Sequence, residues 1–376
     1  TAAYNNYYDT NNSYSKAFNP IFSGVNNLTK LIVSDKISYY GNGTVPEADK
    51  LVFPNPKAKE GYTAKWQNVD TKETYLAKDI PEGVAATYVP CYVYEGQGAT
   101  MNHALHYLNA DPNGTKITTK VSNIIFGRTA DYGQIVDTYT GVLADHGQEL
   151  PVYAYYVPLE NGCYDVYILS EGTIYAPADC TNLCSGMTNL VTFSTDNLDM
   201  SRVTTMRRMF SGDGKLQSVD ADNWDTSKVT SMNGMFMSCQ SLQTLDVSDW
   251  DTSEVTDMYA MFYNCKQLPT LDVSDWNVGN VTNMEFTFGG CELFVTLDVA
   301  DWDVSKVTSF DAFFQSSRKT KGAMKLEYLD VSKWDTGKCL NYDRMFFWCT
   351  QLETLDMSSW NSENVLPMTF YVDCYA

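Results

Sequence analysis

Three sets of side chains in this sequence are of types that do chemistry: a histidine pair, a periodic run of cysteines and a column of aspartates. His103 and His106 are three residues apart. On a helix that spacing puts both imidazoles on one face, as metal ligands need. No third ligand stands near them, and His146 beside Asp145 has no nucleophile placed with it. Phosphate-cradling loops, a G-x-S-x-G turn and an H-E-x-x-H zinc motif are all absent from the sequence. The expectation is a chain that is not an enzyme, with no catalytic residues, no metal and no cofactor. A metal-dependent enzyme built on residues 96–176 is the remote alternative.

Among the ten cysteines, Cys239, Cys265, Cys291 and Cys349 hold the same place in successive repeats, and no C-x-x-C pair exists. Zinc sites of the usual spacing are therefore not expected. Two readings stand: a small buried hydrophobe at a repeat corner, or a disulfide between stacked coils, for which parallel side chains fit the required dihedral poorly. Cys180 and Cys184, four apart, form a second candidate pair if their segment is helical. The aspartates Asp220, Asp246, Asp272, Asp298, Asp330 and Asp356 also recur. Stacked at the strand spacing of roughly 4.8 Å, like charges repel. Each carboxylate must then accept hydrogen bonds from backbone, Ser or Thr, or bind cations. Hydrogen-bonded structural carboxylates are the favoured reading, because the dense Gly-Asp spacing of calcium-binding solenoids is missing.

What positions these columns is a repeat. Trp224, Trp250, Trp276 and Trp302 are each 26 residues apart, Trp334 follows after 32 and Trp360 after 26. Leu198 fills the same place 26 residues before Trp224. Self-similarity at such a period marks a solenoid. Within one unit Leu245 and Val247 alternate with polar residues, the pattern of a half-buried strand. Asp251-Thr252-Ser253 follows as a turn and helix-entry signal. Val255, Met258, Met261 and Phe262 then recur at three and four residues, which predicts a short helix burying one face. The expected fold is an α/β leucine-rich-repeat-like solenoid, one short strand and one short helix per 26-residue coil. Its Trp, Met and Leu columns are read as core, since one coil cannot bury them alone.

By the same alternation Thr244, Thr270 and Thr296 share the exposed strand face with Asp246, Asp272, Asp298, Ser248 and Ser274. This Thr/Asp/Ser sheet suits hydrogen bonding to a protein or glycan; the competing reading is a merely solvated sheet. The 32-residue step contains six extra residues near Arg318, Lys319 and Lys321, a basic loop on an acidic chain. Insertions in solenoids often join the binding face, though surface loops are also tolerated without function.

The chain has 376 residues, enough for two domains or a domain plus an array, and a formal net charge of −20. That acidity argues against nucleic acid and anionic lipid as partners. No apolar run approaches the length of a membrane span. Organisation is read as an N-terminal β-rich region over 1–95, including a β-grasp-like spacer phrase at Gly61-Tyr62 and Trp66; a mixed linker and cap over 96–177; and the array over 178–376. Strand-like runs at Asn123–Gly127, Val152–Tyr156, Tyr164–Leu169 and Thr173–Ala176 lead into the first repeat-like phrase at Cys180. An open solenoid end exposes apolar side chains and strand edges, so a cap is required.

The phrase from Trp250 to Met258, followed by Met261-Phe262-Tyr263-Asn264-Cys265 and Leu271-Asp272-Val273-Ser274, resembles the 26-residue repeat of the BspA-like leucine-rich-repeat proteins. These are bacterial surface proteins, also described as a domain of unknown function in Listeria, Lactobacillus, Mycoplasma and gut Firmicutes. The resemblance covers about residues 178–376 and implies export, a secreted or cell-surface location, and adhesion. Its expected partners are a host or neighbouring-cell protein or glycan, or another copy of the chain. Self-assembly into a surface layer or filament is the alternative function.

Overall fold

A computed structural model describes residues 117–139, 141–145, 150–316, 324–361 and 363–364, together with Met101, Leu105 and four strands in the first hundred residues. Close packing divides the chain into Thr1–Gln97 with Pro112–Gly114, and Gly98–Asp111 with Thr115–Ala376. The first unit holds β1 (Leu31–Val33), β2 (Tyr62–Asn68), β3 (Thr74–Tyr75) and β4 (Ala86–Tyr94). Among the described residues β4 pairs antiparallel with β1 and with β2, and β2 antiparallel with β3. β2 contains the Tyr62 to Trp66 part of the spacer phrase, whose polar and apolar residues alternate.

The second unit begins with a sheet of longer strands: β5 (Val121–Arg128), β6 (Val142–Asp145), β7 (Val152–Pro158) and β8 (Tyr164–Ser170). β5 and β8 run parallel, while β7 pairs antiparallel with both β6 and β8. A 3-10 turn (Thr129–Tyr132) and α1 (Gly133–Thr138) follow β5. Across β5 lies β10 (Thr192–Ser194), then β12 (Ser218–Val219) and β13 (Thr244–Leu245), each parallel to its neighbour. Pairing thus runs from the cap sheet into the repeats without a break. β9 (Ile174–Tyr175) pairs parallel with β11 (Leu198–Asp199), and β14 (Tyr328–Leu329) with β15 (Thr354–Leu355). One hydrophobic core extends from Met101 and Leu105, both helical, through Val121 and Phe193 to Cys349.

From β10 onward the same position in each unit lies beside that of the next. Parallel bridges join Asp179, Thr205, Ser231, Asp257, Asn283, Ser309 and Asn341 in series. The six-residue insertion leaves the pairing intact, since Thr296 bridges Tyr328 and Ser309 bridges Asn341. Inside, Trp224, Trp250, Trp276, Trp302, Trp334 and Trp360 stack with centroids 5.8–6.5 Å apart and planes within 7°. Each indole from Trp250 to Trp302 donates Nε1–H to a carbonyl 29 residues earlier at 3.0 Å. That bond satisfies a buried polar atom and links coil to coil.

The short helix expected over Val255–Phe262 is not formed. This segment is a run of turns in which single residues, four apart, adopt the left-handed backbone conformation. Ala260 (φ 53°) and Asn264 (φ 63°) have counterparts in Gly234, Ser238, Phe286 and Gly290. The N–H groups divide the work: Met261 donates back to the Met258 carbonyl at 3.2 Å, while Ala260 and Phe262 donate across to Glu285 and Thr287 at 2.8 and 2.9 Å. Apolar residues at three and four spacing are therefore buried as in a helix, but half the backbone donors serve the neighbouring coil. The periodicity reports which side chains face the core, and a chain of tight turns produces the same facing pattern. Gly290 shows how tight the segment is: at φ +76° a Cβ would lie 2.5 Å from Asn264 Oδ1.

Among the described residues the cysteines form no disulfide. Cys239, Cys265 and Cys291 are buried, each donating its thiol to the carbonyl of Phe210, Phe236 or Phe262 at 3.1–3.2 Å. Cys180 and Cys184, also without a disulfide, lie in a segment that is not helical.

Candidate interaction surface

The strand column sets the geometry of the polar face. Parallel pairing places Ser218 beside Thr244 and Val219 beside Leu245. Alternation then turns Leu245 and Val247 inward and leaves Thr244 and Asp246 exposed, with Ser248 half-buried. In the next two units the expected short strand is not formed, and only an isolated bridge stands at Thr296, but Thr270, Asp272, Ser274, Thr296 and Asp298 are all exposed.

Side-chain bonds extend the column into the cap. Thr192 donates Oγ1–H to Asn123 Oδ1 at 2.7 Å, and Asn123 Nδ2–H donates to Asp165 Oδ1 at 2.7 Å. Asp165, Asn123, Thr192, Ser218 and Thr244 are register partners on successive strands. Ser218 and Thr192 follow from stepping back 26 residues at a time from Thr244. Asn123 and Asp165 lie outside the period, so only the pairing reveals them. Tyr328 interrupts the column beyond Thr296, with 54% of its surface exposed, and Val295 beside Thr296 is 42% exposed. These are two of the few large apolar side chains left outside the core.

The aspartates of this face are occupied within their own turns. Asp246 Oδ1 accepts both the Ser248 N–H (3.1 Å) and Ser248 Oγ–H (2.7 Å). Asp272 and Ser274 repeat the motif at 3.3 and 2.7 Å, and Asp330 and Ser332 at 3.0 and 2.7 Å. Asp298 receives only the Ala300 N–H, at 3.4 Å, because Ala300 stands where the others have Ser. The serine hydroxyl and then its N–H hold the Asp246, Asp330 and Asp356 carboxyls below the usual carboxylate range. Hydrogen bonds to the charged form favour it. Asp220 differs: desolvation and a hydrogen bond shared with Asp222 push its carboxyl up.

A second exposed column, not singled out from the sequence, runs along the bridged turns. Thr204, Thr230, Thr256, Thr282 and Thr308 each donate Oγ1–H to the carbonyl 26 residues earlier, at 2.9–3.1 Å. Its 26-residue period was legible, but the hydroxyl's inward duty was not. Arg318, Lys319 and Lys321 lie outside the described residues, as do His103, His106 and His146.

Burial pushes Cys180 up to about 12 and Cys184, Cys239 and Cys265 well above the ordinary thiol value. A thiol held in that form is a poor nucleophile. The polar strand face presents hydroxyls, ionised carboxylates and one exposed phenol, a set suited to binding.

Residues 178–297 and 268–373 match a family described as Mycoplasma protein of unknown function, DUF285. No curated protein and no solved structure matches the chain.

Proposed function

Because the chain belongs to the DUF285 family, a repeat family, we propose that it is a secreted or cell-surface repeat protein that binds a macromolecule. In this reading the array is a solenoid of the BspA-like kind, and the exposed strand face is the contact surface of an adhesin. The partner is a protein or glycan of a host or neighbouring cell.

The observation that carries the reading is the set of Thr, Asp and Ser columns, exposed or half-buried, that recur at the same three positions in successive coils beside inward-facing Leu and Val. A face this regular offers evenly spaced hydrogen-bonding groups without reorganisation, which lowers the entropic cost of association. Tyr328 and Val295 supply an apolar contact inside the polar field, and interface hot spots are enriched in such aromatic anchors.

A panel of extracellular glycoproteins and glycans, screened with the whole chain, tests this. For whichever member binds, the triple variant T244R/T270R/T296R is expected to weaken binding at least ~100-fold, and Tyr328→Ala about 10-fold or more. Undiminished binding by the triple variant would remove the strand face from the proposal.

A further inference from the structure

Asp213 is the only acidic residue buried in the core of the described residues, with no exposed surface. It stands 26 residues before Cys239, in the place that Cys239, Cys265 and Cys291 fill in the following coils. Each of those thiols donates to the carbonyl 29 residues earlier. The same offset from Asp213 falls on Cys184, in the first repeat unit.

One carboxyl oxygen is accounted for: Oδ1 accepts the Met187 N–H at 2.7 Å. The other, Oδ2, is buried and has no hydrogen-bond partner. The ionisable groups facing Asp213 are the thiols of Cys184 in the preceding unit and Cys239 in the following one, and burial keeps both protonated. A carboxylate here would be a buried charge without a counter-ion, which is strongly unfavourable. A carboxylic acid instead carries an O–H, the donor that S–H supplies in the other coils.

We propose that Asp213 is a protonated latch between the first repeat unit, around Cys184 and Met187, and the unit that follows it, released by alkali. Burial pushes its carboxyl up to about 9, although the N–H groups of Met187 and Gly186 pull the other way. Between 3.8, the ordinary value, and about 9 the folded chain holds a proton that the unfolded chain has lost. The stabilisation is complete below the lower value and is lost as pH rises towards the upper one. Across that window the folding constant falls about tenfold per pH unit on this account.

The test uses the whole chain, with carboxyl ¹³C NMR and urea unfolding from pH 5 to 8.5. The Asp213 resonance is expected to titrate above pH 7. Relative to Asp213→Asn, which keeps a neutral acceptor and donor, the wild type should lose about tenfold in folding constant per pH unit. Asp213→Cys, which restores the column, should behave as the Asn variant does. A carboxyl titrating below pH 5, or parallel pH profiles for wild type and Asp213→Asn, would overturn the latch. If neither variant folds, the wild-type NMR titration decides alone.

Discussion

The cap sheet and the repeat array share one polar column and one hydrophobic core, yet they are held together differently. In the cap, β5 pairs with β8 from Val121 to Arg128, and β7 pairs with β8 from Tyr153 to Pro158. Main-chain ladders do most of the joining there. In the array the named strands from Ser218 onward are two residues long. So short a strand cannot carry a coil-to-coil interface. The turn segment's backbone joins the coils instead, through N–H groups such as those of Met258, Ala260 and Phe262, and side chains add to it: the indole of Trp276 bonds Val247, the hydroxyl of Thr252 bonds Asn277, and the thiol of Cys265 bonds Phe236. The difference teaches that the array's sequence is constrained residue by residue, whereas the cap needs only a strand pattern.

The most severe way to break this contrast is to remove one rung of the indole stack. Trp276 is 3% exposed and lies between Trp250 and Trp302 at 6.4 and 6.3 Å. Trp276→Ala is expected to cost about 3–5 kcal/mol in urea unfolding. Trp276→Phe keeps a ring but loses the Nε1–H, leaving the Val247 carbonyl without that donor, and should cost a smaller ~1–3 kcal/mol. If the two variants cost the same, the bond rather than the stack is the dominant link.

That division also explains what could be read in advance. The 26-residue period, the buried Trp, Met and Cys columns and the exposed Thr/Asp/Ser positions were all legible, because each coil repeats the same environment. The helix was mistaken because Met258, Met261 and Phe262 are buried at helical spacing, while Ala260 and Asn264 adopt positive φ without glycine to announce it. In the cap, strands could be placed at Asn123–Gly127 and Val152–Tyr156. That Asn123 would meet both Thr192 and Asp165 could not, since pairing between strands of unlike sequence leaves no periodic trace.

A milder pair of substitutions sharpens the comparison. Thr252 is 1% exposed and donates Oγ1–H to the Asn277 carbonyl at 3.0 Å. Thr252→Val keeps the shape and removes the donor, so a loss of about 1–2 kcal/mol is expected. Asn123→Ala in the cap removes side-chain bonds at a part-buried site where water replaces them, and should cost under ~1 kcal/mol. Urea unfolding of both variants checks the order. A larger loss from Asn123→Ala would mean that side-chain linkage matters as much in the cap as in the array.

The smallest effect separates two carboxyls by the sign of their pH response. Asp246 is exposed, and the Ser248 hydroxyl and N–H hold its carboxyl low. Its folded value lies below the unfolded one, so its contribution is present above the ordinary carboxylate range and is lost as pH falls through the folded value. Solvent screening limits this to under ~0.5 kcal/mol. Asp246→Asn keeps an oxygen that can accept the same two bonds, and should flatten only the acid limb of the stability profile, below pH 3.8. Asp213 works in the opposite sense: its contribution declines as pH rises towards about 9. Measured together, Asp246→Asn should alter the profile at the acid end and Asp213→Asn across the neutral and alkaline range. An alkaline effect from Asp246→Asn would show that the exposed Asp column is coupled to the buried Asp213, and that the two carboxyls do not respond to pH independently.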